Sequence, residues 1–302
     1  MSERREHPPQ VRERTVSKAR TLIEALPFMQ AHFGKVIVVK VGGAAMEQTG
    51  LATAFAEDVA LLQHAGIRVV VVHGGGPQVS EVQAKLGIET TFVDGLRVTD
   101  AATLDIATMV LAGKLNTTVV AGLVASGVPA VGLSGVDGGL LLVRRQASPD
   151  LGFVGEVVGV RAEVVDTLLD QRFVPVVASI ALDAGGQAYN VNADVVASEL
   201  AIALGAEKLV VISDVPGLMG PSGELLSELG AADGAALLAK DGVVEGGMIP
   251  KLTSAIRAIG MGVGRVHLVD GRVDHSLVLE LFTPEGVGTM IVPDARAGGE
   301  EA

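Results

Sequence analysis

Short, continuous apolar runs punctuate this chain at fairly regular intervals. They fall at 35–41 (KVIVVKV), 67–73 (IRVVVVH), 128–134 (VPAVGLS), 140–145 (LLLVRR), 173–180 (FVPVVASI), 208–213 (KLVVIS), 265–270 (RVHLVD) and 288–292 (GTMIV). Rich in Val and Ile and without polar alternation, they predict strands buried on both faces. Helical spacing recurs between them at 51–66, 101–127, 192–206 and 250–262, and several of these stretches end in glycine, which closes helices well. Strands alternating with helices predict an α/β fold with a mainly parallel sheet. The segment 144–160 (RRQASPDLGFVGEVVGV) reads differently, as a small hairpin with a polar turn. A border is expected near residue 205, where one helix ends and a new strand–helix series begins.

At the N-terminal end Leu22, Ile23, Leu26, Met29 and Phe33 share one helical face, and Pro27 predicts a kink. Composition slightly favours a helix folded onto its own domain over one offered to another subunit.

The 302 residues allow one large core or two domains, and 49% hydrophobic against 19% charged residues excludes a disordered chain. With aromatics at 3%, the core must be built from Val, Leu, Ile and Ala. The absence of cysteine removes disulfides, thiolate metal sites and Cys nucleophiles. A net charge of −12 argues against nucleic-acid binding. No apolar run reaches membrane-span length and the charged start is no secretory signal, so no membrane association and a cytoplasmic location are expected.

Candidate chemistry gathers at strand ends. Two glycine loops, Gly42–Gly43 and Gly74–Gly76, each follow an apolar strand, and Lys40 stands two residues before the first. In a doubly wound sheet such loops meet at one edge, where bare amides and helix N-termini can hold an anion. Neither is a Walker A or GxGxxG motif, and a tight turn alone would account for either one. Arg97, in GLRVTD (95–100), is suited to gripping a carboxylate. Asn190, Asn192 and Asp194 precede a helix and exceed what an N-cap requires. Ser213 and Asp214 end another strand. Lys251 follows Gly246 and Gly247 in a first helical turn, where a cation opposes the helix dipole unless something negative neutralises it. His73 reads as a strand-end residue with a local hydrogen bond, and no metal-ligand spacing or serine-hydrolase elbow is present.

Taken in order, KVGG (40–43), HGGGP (73–77), GLRVTD (95–100), NVNAD (190–194), SDVPG (213–217) and GGMIPK (246–251) resemble the amino acid kinase family, and within it the branch acting on N-acetyl-L-glutamate. The resemblance covers roughly residues 21–293. It implies a three-layer αβα sandwich with an acetylglutamate lobe at 35–205 and an ATP lobe at 206–302. It further implies transfer of the γ-phosphoryl group of ATP, with Mg²⁺ carried on the phosphates, to a side-chain carboxylate, within arginine biosynthesis. Lys40 and Lys251 would flank the moving group and Asp194 would hold both. Gly75, Gly76, Arg97, Asn190 and Asn192 would meet the substrate, and Gly43, Ser213, Asp214 and Gly247 the nucleotide. A kinked helix at 21–34, after a mobile tail at 1–20, would join dimers into a hexamer. L-Arginine would inhibit through Glu280 and Gly286, and a nitrogen-signalling protein is a possible further partner. The alternatives are another enzyme of this fold, such as an N-acyl-aminoadipate kinase, or a non-catalytic ATP-binding subunit.

Overall fold

Eight strands form the central sheet in the computed structural model, which describes residues 9–42, 49–93, 96–220, 222–240 and 242–294. From edge to edge they are β12 (Glu228–Gly230), β14 (Thr289–Val292), β13 (Arg265–Asp270), β11 (Lys208–Ser213), β1 (Val36–Val41), β2 (Arg68–His73), β8 (Val174–Ala178) and β5 (Ala130–Ser134). Every neighbouring pair is parallel except β13 with β14. The expected border near 205 falls between a helix ending at Ala203 and β11, which pairs directly with β1, so one sheet runs through both halves.

Strand periodicity divides the interior into two layers. In β1, Val36 and Val38 enter one core while Ile37, Val39 and Val41 enter the other. Neighbouring strands keep the same phase, with Val70, Val72, Leu209 and Val211 against Val69, Val71, Val210 and Ile212. The first core is closed by α5 (Glu163–Asp170), α6 (Ala193–Ala203) and α8 (Met248–Gly260). The second is closed by α2 (Thr49–His64), the end of α4 (Ala101–Ala125) and α9 (Ser276–Phe282). This is the αβα sandwich the resemblance implied. α7 (Ala231–Leu238) packs beside α8.

Although α4 is long and apolar enough to cross a membrane, Leu104, Ile106, Val110, Leu111, Val119 and Leu123 bury its inner face in the protein. Its middle, Met109–Leu115, is wound as a π-helix.

A second, four-stranded sheet holds β10 (Ala188–Asn190), β9 (Ile180–Leu182), β6 (Leu141–Arg145) and β7 (Gly155–Val160). β6 and β7 form the hairpin expected at 144–160, with a register shift between Leu142 and Val143. The run 173–180 is not one strand. It breaks at Ser179, sending β8 into the large sheet and β9 into the small one. A further hairpin, β3 (Phe92–Val93) with β4 (Leu96–Arg97), stands next to α3 (Gly76–Lys85) in the chain.

The N-terminal helix departs from expectation in two ways. α1 spans Pro9–His32, so residues 9–20 belong to the helix rather than to a tail, while residues 1–8 lie outside the described residues. Its apolar residues also do not share one environment. Met29 turns inward with Ala25 and Phe28 onto the second core, whereas Leu22, Ile23, Leu26 and Phe33 remain exposed.

Candidate active site

Lys40 falls on the Val36 and Val38 face of β1, so its side chain points into the layer of α6 and α8. There Asp194 occupies the first turn of α6, a position the helix dipole favours for an anion. Asn192 caps this helix, its Oδ1 accepting from the amides of Asp194 (2.8 Å) and Val195 (3.4 Å). The Asp194 carboxylate joins two cations. Oδ1 lies 2.8 Å from Lys40 Nζ in an ion pair, and Oδ2 accepts a hydrogen bond from Lys251 Nζ at 3.0 Å. Lys251 stands in the first turn of α8, and Asp194 is the negative group that offsets its unfavourable place on that helix.

Burial raises the Asp194 carboxyl, but the two lysines outweigh it and hold the group below its usual range. Burial pushes the Lys40 ammonium down; Asp194 restores part of this and Lys251 opposes it. Two cations sharing one anion leave the trio with an excess positive charge.

A cavity of about 850 Å³ opens beside this trio, within the size range of small-molecule sites. Lys40, Gly42, Gly74, Gly75, Gly76, Arg97, Asn190, Asn192, Asp194 and Pro250 contribute to its wall. Arg97 reaches it from β4. Its guanidinium donates to Gln83 Oε1 (2.6 Å), Ser80 Oγ (2.7 Å) and the Gly76 carbonyl (2.8 Å), and lies 4.9 Å from the centre of the Phe92 ring. All these partners are neutral, so the Arg97 charge is unmatched by any described carboxylate. Asn190 donates from Nδ2 to Thr99 Oγ1 at 3.3 Å.

The glycine loop is shaped by packing as well as by access. A Cβ on Gly75 would lie 2.6 Å from the methyls of both Leu111 and Leu115, which the π-helical segment of α4 presses against the loop. Gly75 then caps α3, whose first-turn amides have no acceptor within the helix.

Of the residues expected to form a site, Lys40, Gly75, Gly76, Arg97, Asn190, Asn192 and Asp194 line this one cavity, with Lys251 joined to it through Asp194. The N-cap reading of Asn192 holds for its side-chain oxygen. Ser213 is buried at the end of β11, Asp214 lies exposed beyond it, and Gly247 caps α8; none of the three lines the cavity. Gly43 lies outside the described residues.

Glu280 and Gly286 belong elsewhere. Glu280 is buried, its Oε1 2.6 Å from His267 Nδ1 and its Oε2 accepting from the amides of Val287 (2.7 Å) and Gly288 (3.1 Å). Gly286 has φ +62°, and a Cβ there would lie 2.8 Å from Glu280 Oε2.

Sequence reasoning passed over Gln83 and Asn116, both buried. Gln83 accepts from Arg97 and Thr90 and donates to Thr103. Asn116 donates to the Val176 carbonyl at 2.9 Å and lies 3.1 Å from His73 Nε2. For Asn116 the available signal was an amide within a mostly apolar helical stretch; Gln83, in the polar helix GPQVSEVQAK, carried none.

Comparison with known proteins gives the family. Residues 35–270 match the amino acid kinase family. The acetylglutamate kinase of Symbiobacterium thermophilum is 50% identical over 93% of this chain and 99% of its own length. That of Thermosynechococcus vestitus is 48% identical over 91% and 94%. Among solved structures, the N-acetylglutamate synthase of Neisseria gonorrhoeae complexed with coenzyme A and N-acetyl-glutamate superposes with a TM-score of 0.82 at 28% identity. The match covers 92% of this chain but 64% of that one, so the synthase carries a large part with no counterpart here. The chain belongs to the amino acid kinase family, on the branch that its acetylglutamate kinase relatives occupy.

Proposed function

We propose that the protein transfers the γ-phosphoryl group of ATP to the side-chain carboxylate of N-acetyl-L-glutamate, producing an acyl phosphate for arginine biosynthesis. The observation that carries this reading is the Lys40–Asp194–Lys251 trio, an excess cation at the wall of a cavity that also holds Arg97 and the glycine loop. A carboxylate nucleophile is already ionised at neutral pH, so the reaction needs no general base. It needs two anions brought together and charge stabilised on the group that moves.

Arg97 and the amides of Asn190 and Asn192 suit the substrate's α-carboxylate and polar groups. Lys40 and Lys251 approach Asp194 from different elements, so a phosphoryl group beside them meets a cation on each side. Asp194 keeps these long side chains in place before substrate arrives. Both its oxygens are engaged by lysines, so a magnesium ion would ride on the nucleotide phosphates and neutralise their charge. The nucleotide itself would lie at the ends of β11 and α8, near Ser213, Asp214 and Gly247.

The finer reading includes feedback inhibition by L-arginine and a cytoplasmic hexamer. The synthase of Neisseria gonorrhoeae has been solved with coenzyme A and L-arginine, at 26% identity and a TM-score of 0.78, over 92% of this chain and 66% of that one. Here Glu280 supplies an acidic group for a guanidinium, and nearby Lys208, which burial lowers to about 8, a cation for a carboxylate. Leu22, Ile23 and Leu26 of α1 and Phe33 just beyond it, all exposed, would be the surface for joining subunits.

The test is an acyl-phosphate trap with MgATP, hydroxylamine and a panel of acids. Hydroxamate from N-acetyl-L-glutamate alone supports the reading; hydroxamate only from another acid moves the substrate, and none from any acid rejects it. A dimeric mass in solution, with activity indifferent to millimolar arginine, would reject the regulatory part.

A further inference from the structure

His73 ends β2 on the face opposite to the one carrying Lys40 in β1. It follows Val69 and Val71 in phase, and those residues face the layer of α2 and α4. Its imidazole is therefore beneath the glycine loop rather than in the cavity, and it is fully buried. Nδ1 lies 3.1 Å from the carbonyl oxygen of Gly74 and Nε2 lies 3.1 Å from Asn116 Nδ2.

These neighbours determine the tautomer. A carbonyl oxygen only accepts, so Nδ1 carries the proton and donates it to Gly74. Asn116 also directs its NH₂ group toward the carbonyls of Val176 (2.9 Å) and Leu133 (3.3 Å), which identifies that end of the amide as the donor. Nε2 is then the acceptor. Desolvation lowers the basicity of the ring, in keeping with this neutral form.

The Gly74–Gly75 peptide is trans, and in a trans peptide the N–H points away from the carbonyl. The carbonyl is drawn down toward His73. Gly75 itself lines the cavity, and its amide makes no hydrogen bond to a described residue. We infer that His73, fixed by Asn116 at the end of the π-helical segment, sets the Gly74–Gly75 peptide so that the Gly75 N–H faces the cavity as a preorganised donor to the transferred phosphoryl group.

The π-helical winding takes part in the same device. It presents Leu111 and Leu115 against Gly75 immediately before Asn116 reaches His73, so one element supports the loop by packing and by hydrogen bonding. Helical irregularities of this kind recur at functional sites. His73 and Asn116 touch no substrate in this scheme and act as positioning residues. The role in phosphoryl transfer rests on the proposed kinase reading; the direction of the peptide does not.

Two substitutions at His73 separate the δ and ε positions of the ring. In His73→Asn the side-chain NH₂ falls near Nδ1 and can still donate to Gly74. In His73→Gln it falls near Nε2, and the donor to Gly74 is lost. The expected result is a kcat loss of about 100-fold in His73→Gln with both KM values within about threefold, and recovery of most of kcat in His73→Asn. Crystal structures of both variants then show the Gly74 carbonyl turned in the Gln form alone. An unchanged carbonyl in His73→Gln, or equal kcat losses in the two variants, overturns the inference. If His73→Gln does not fold, Asn116→Ala releases Nε2 while leaving the ring; a kcat loss of about tenfold at constant KM supports the inference, and an unchanged kcat overturns it. If the wild-type protein phosphorylates no acid, the kinase reading fails, and the carbonyl direction in the variants still decides the role of His73.

Discussion

Two buried carboxylates, Asp194 and Glu280, are held in opposite ways. Asp194 shares its oxygens between two lysines, and the surplus positive charge borders a large cavity. Glu280 receives hydrogen bonds from one imidazole and two backbone amides, while Lys208, whose ammonium its charge favours, makes no ion pair with it among the described residues. The first arrangement has more cation than it needs for its own neutrality, as suits a site awaiting an anion. The second stabilises its charge with dipoles that also fasten the turn at Val287 and Gly288. A buried carboxylate matched by formal charge thus leaves a surplus cation at a cavity wall, whereas one matched mainly by dipoles ties down a turn.

The strongest way to break this contrast is Asp194→Asn. The amide leaves Lys40 and Lys251 in place without the anion between them, and burial already disfavours the Lys40 charge. Removing one member of a buried ion pair costs about 3–5 kcal/mol. A marked fall in the urea midpoint, together with loss of turnover, is the expected outcome. A midpoint equal to that of the wild type would mean that the trio does not carry its charges as described.

Lys251→Ala is milder for the fold, because Asp194 keeps Lys40. The expected loss is about 100- to 1,000-fold in kcat at nearly constant stability, the usual range for one preorganised charge donor. This sets Lys251 apart from Asp194: one variant should report mainly on rate, the other on rate and stability together. A kcat within about threefold of the wild type would remove Lys251 from the reaction.

The legibility of these two clusters in the sequence was also unequal. Lys40, Asp194 and Lys251 lie far apart along the chain, yet each stands at a strand end or helix start, where an α/β sheet collects its functional groups. Period-two burial in β1 and β2 was likewise readable from uninterrupted Val-rich runs. The supports of the site were less visible. Gln83 beneath Arg97 and Asn116 beneath His73 lie within helices, and their partners come from other elements that no local pattern identifies. The break at Ser179 was hidden because two successive strands in different sheets read as one apolar run. In α1, spacing placed Met29 with Leu22 and Leu26, but the way the helix lies on the core turned it inward.

At the second carboxylate, Glu280→Gln tests the dipole side of the contrast. The amide oxygen can still accept from Val287 and Gly288, and His267 can move its proton to Nε2, which has no hydrogen-bond partner among the described residues. The expected cost is therefore about 1–2 kcal/mol, less than for Asp194→Asn, measured from denaturant midpoints. An equal or larger loss would show that Lys208 serves as a true cationic counterpart of the Glu280 charge.

The smallest expected effect belongs to a third buried carboxylate, which joins the contrast from between the two. Asp58, in α2, accepts a hydrogen bond from His275 Nδ1 at 2.7 Å, and the backbone amides of Leu277 and Val278 in α9 also favour its charged form. It thus combines a titratable cation with helix dipoles. Burial raises the Asp58 carboxyl, while Asp58 chiefly, with Glu57 and Asp274 adding to it, raises the His275 imidazole above its ordinary 6.5. A histidine raised on folding contributes stability that is complete below its unfolded value and is lost as pH climbs through the folded value. His275→Ala should therefore lower Tm by about 2–4 °C at pH 6 and by less at pH 9, where the wild-type ring has already lost its charge. Thermal melts of both proteins across this range read the difference directly. A deficit independent of pH would mean that His275 serves Asp58 only as a neutral hydrogen-bond donor, placing this carboxylate with Glu280 rather than with Asp194.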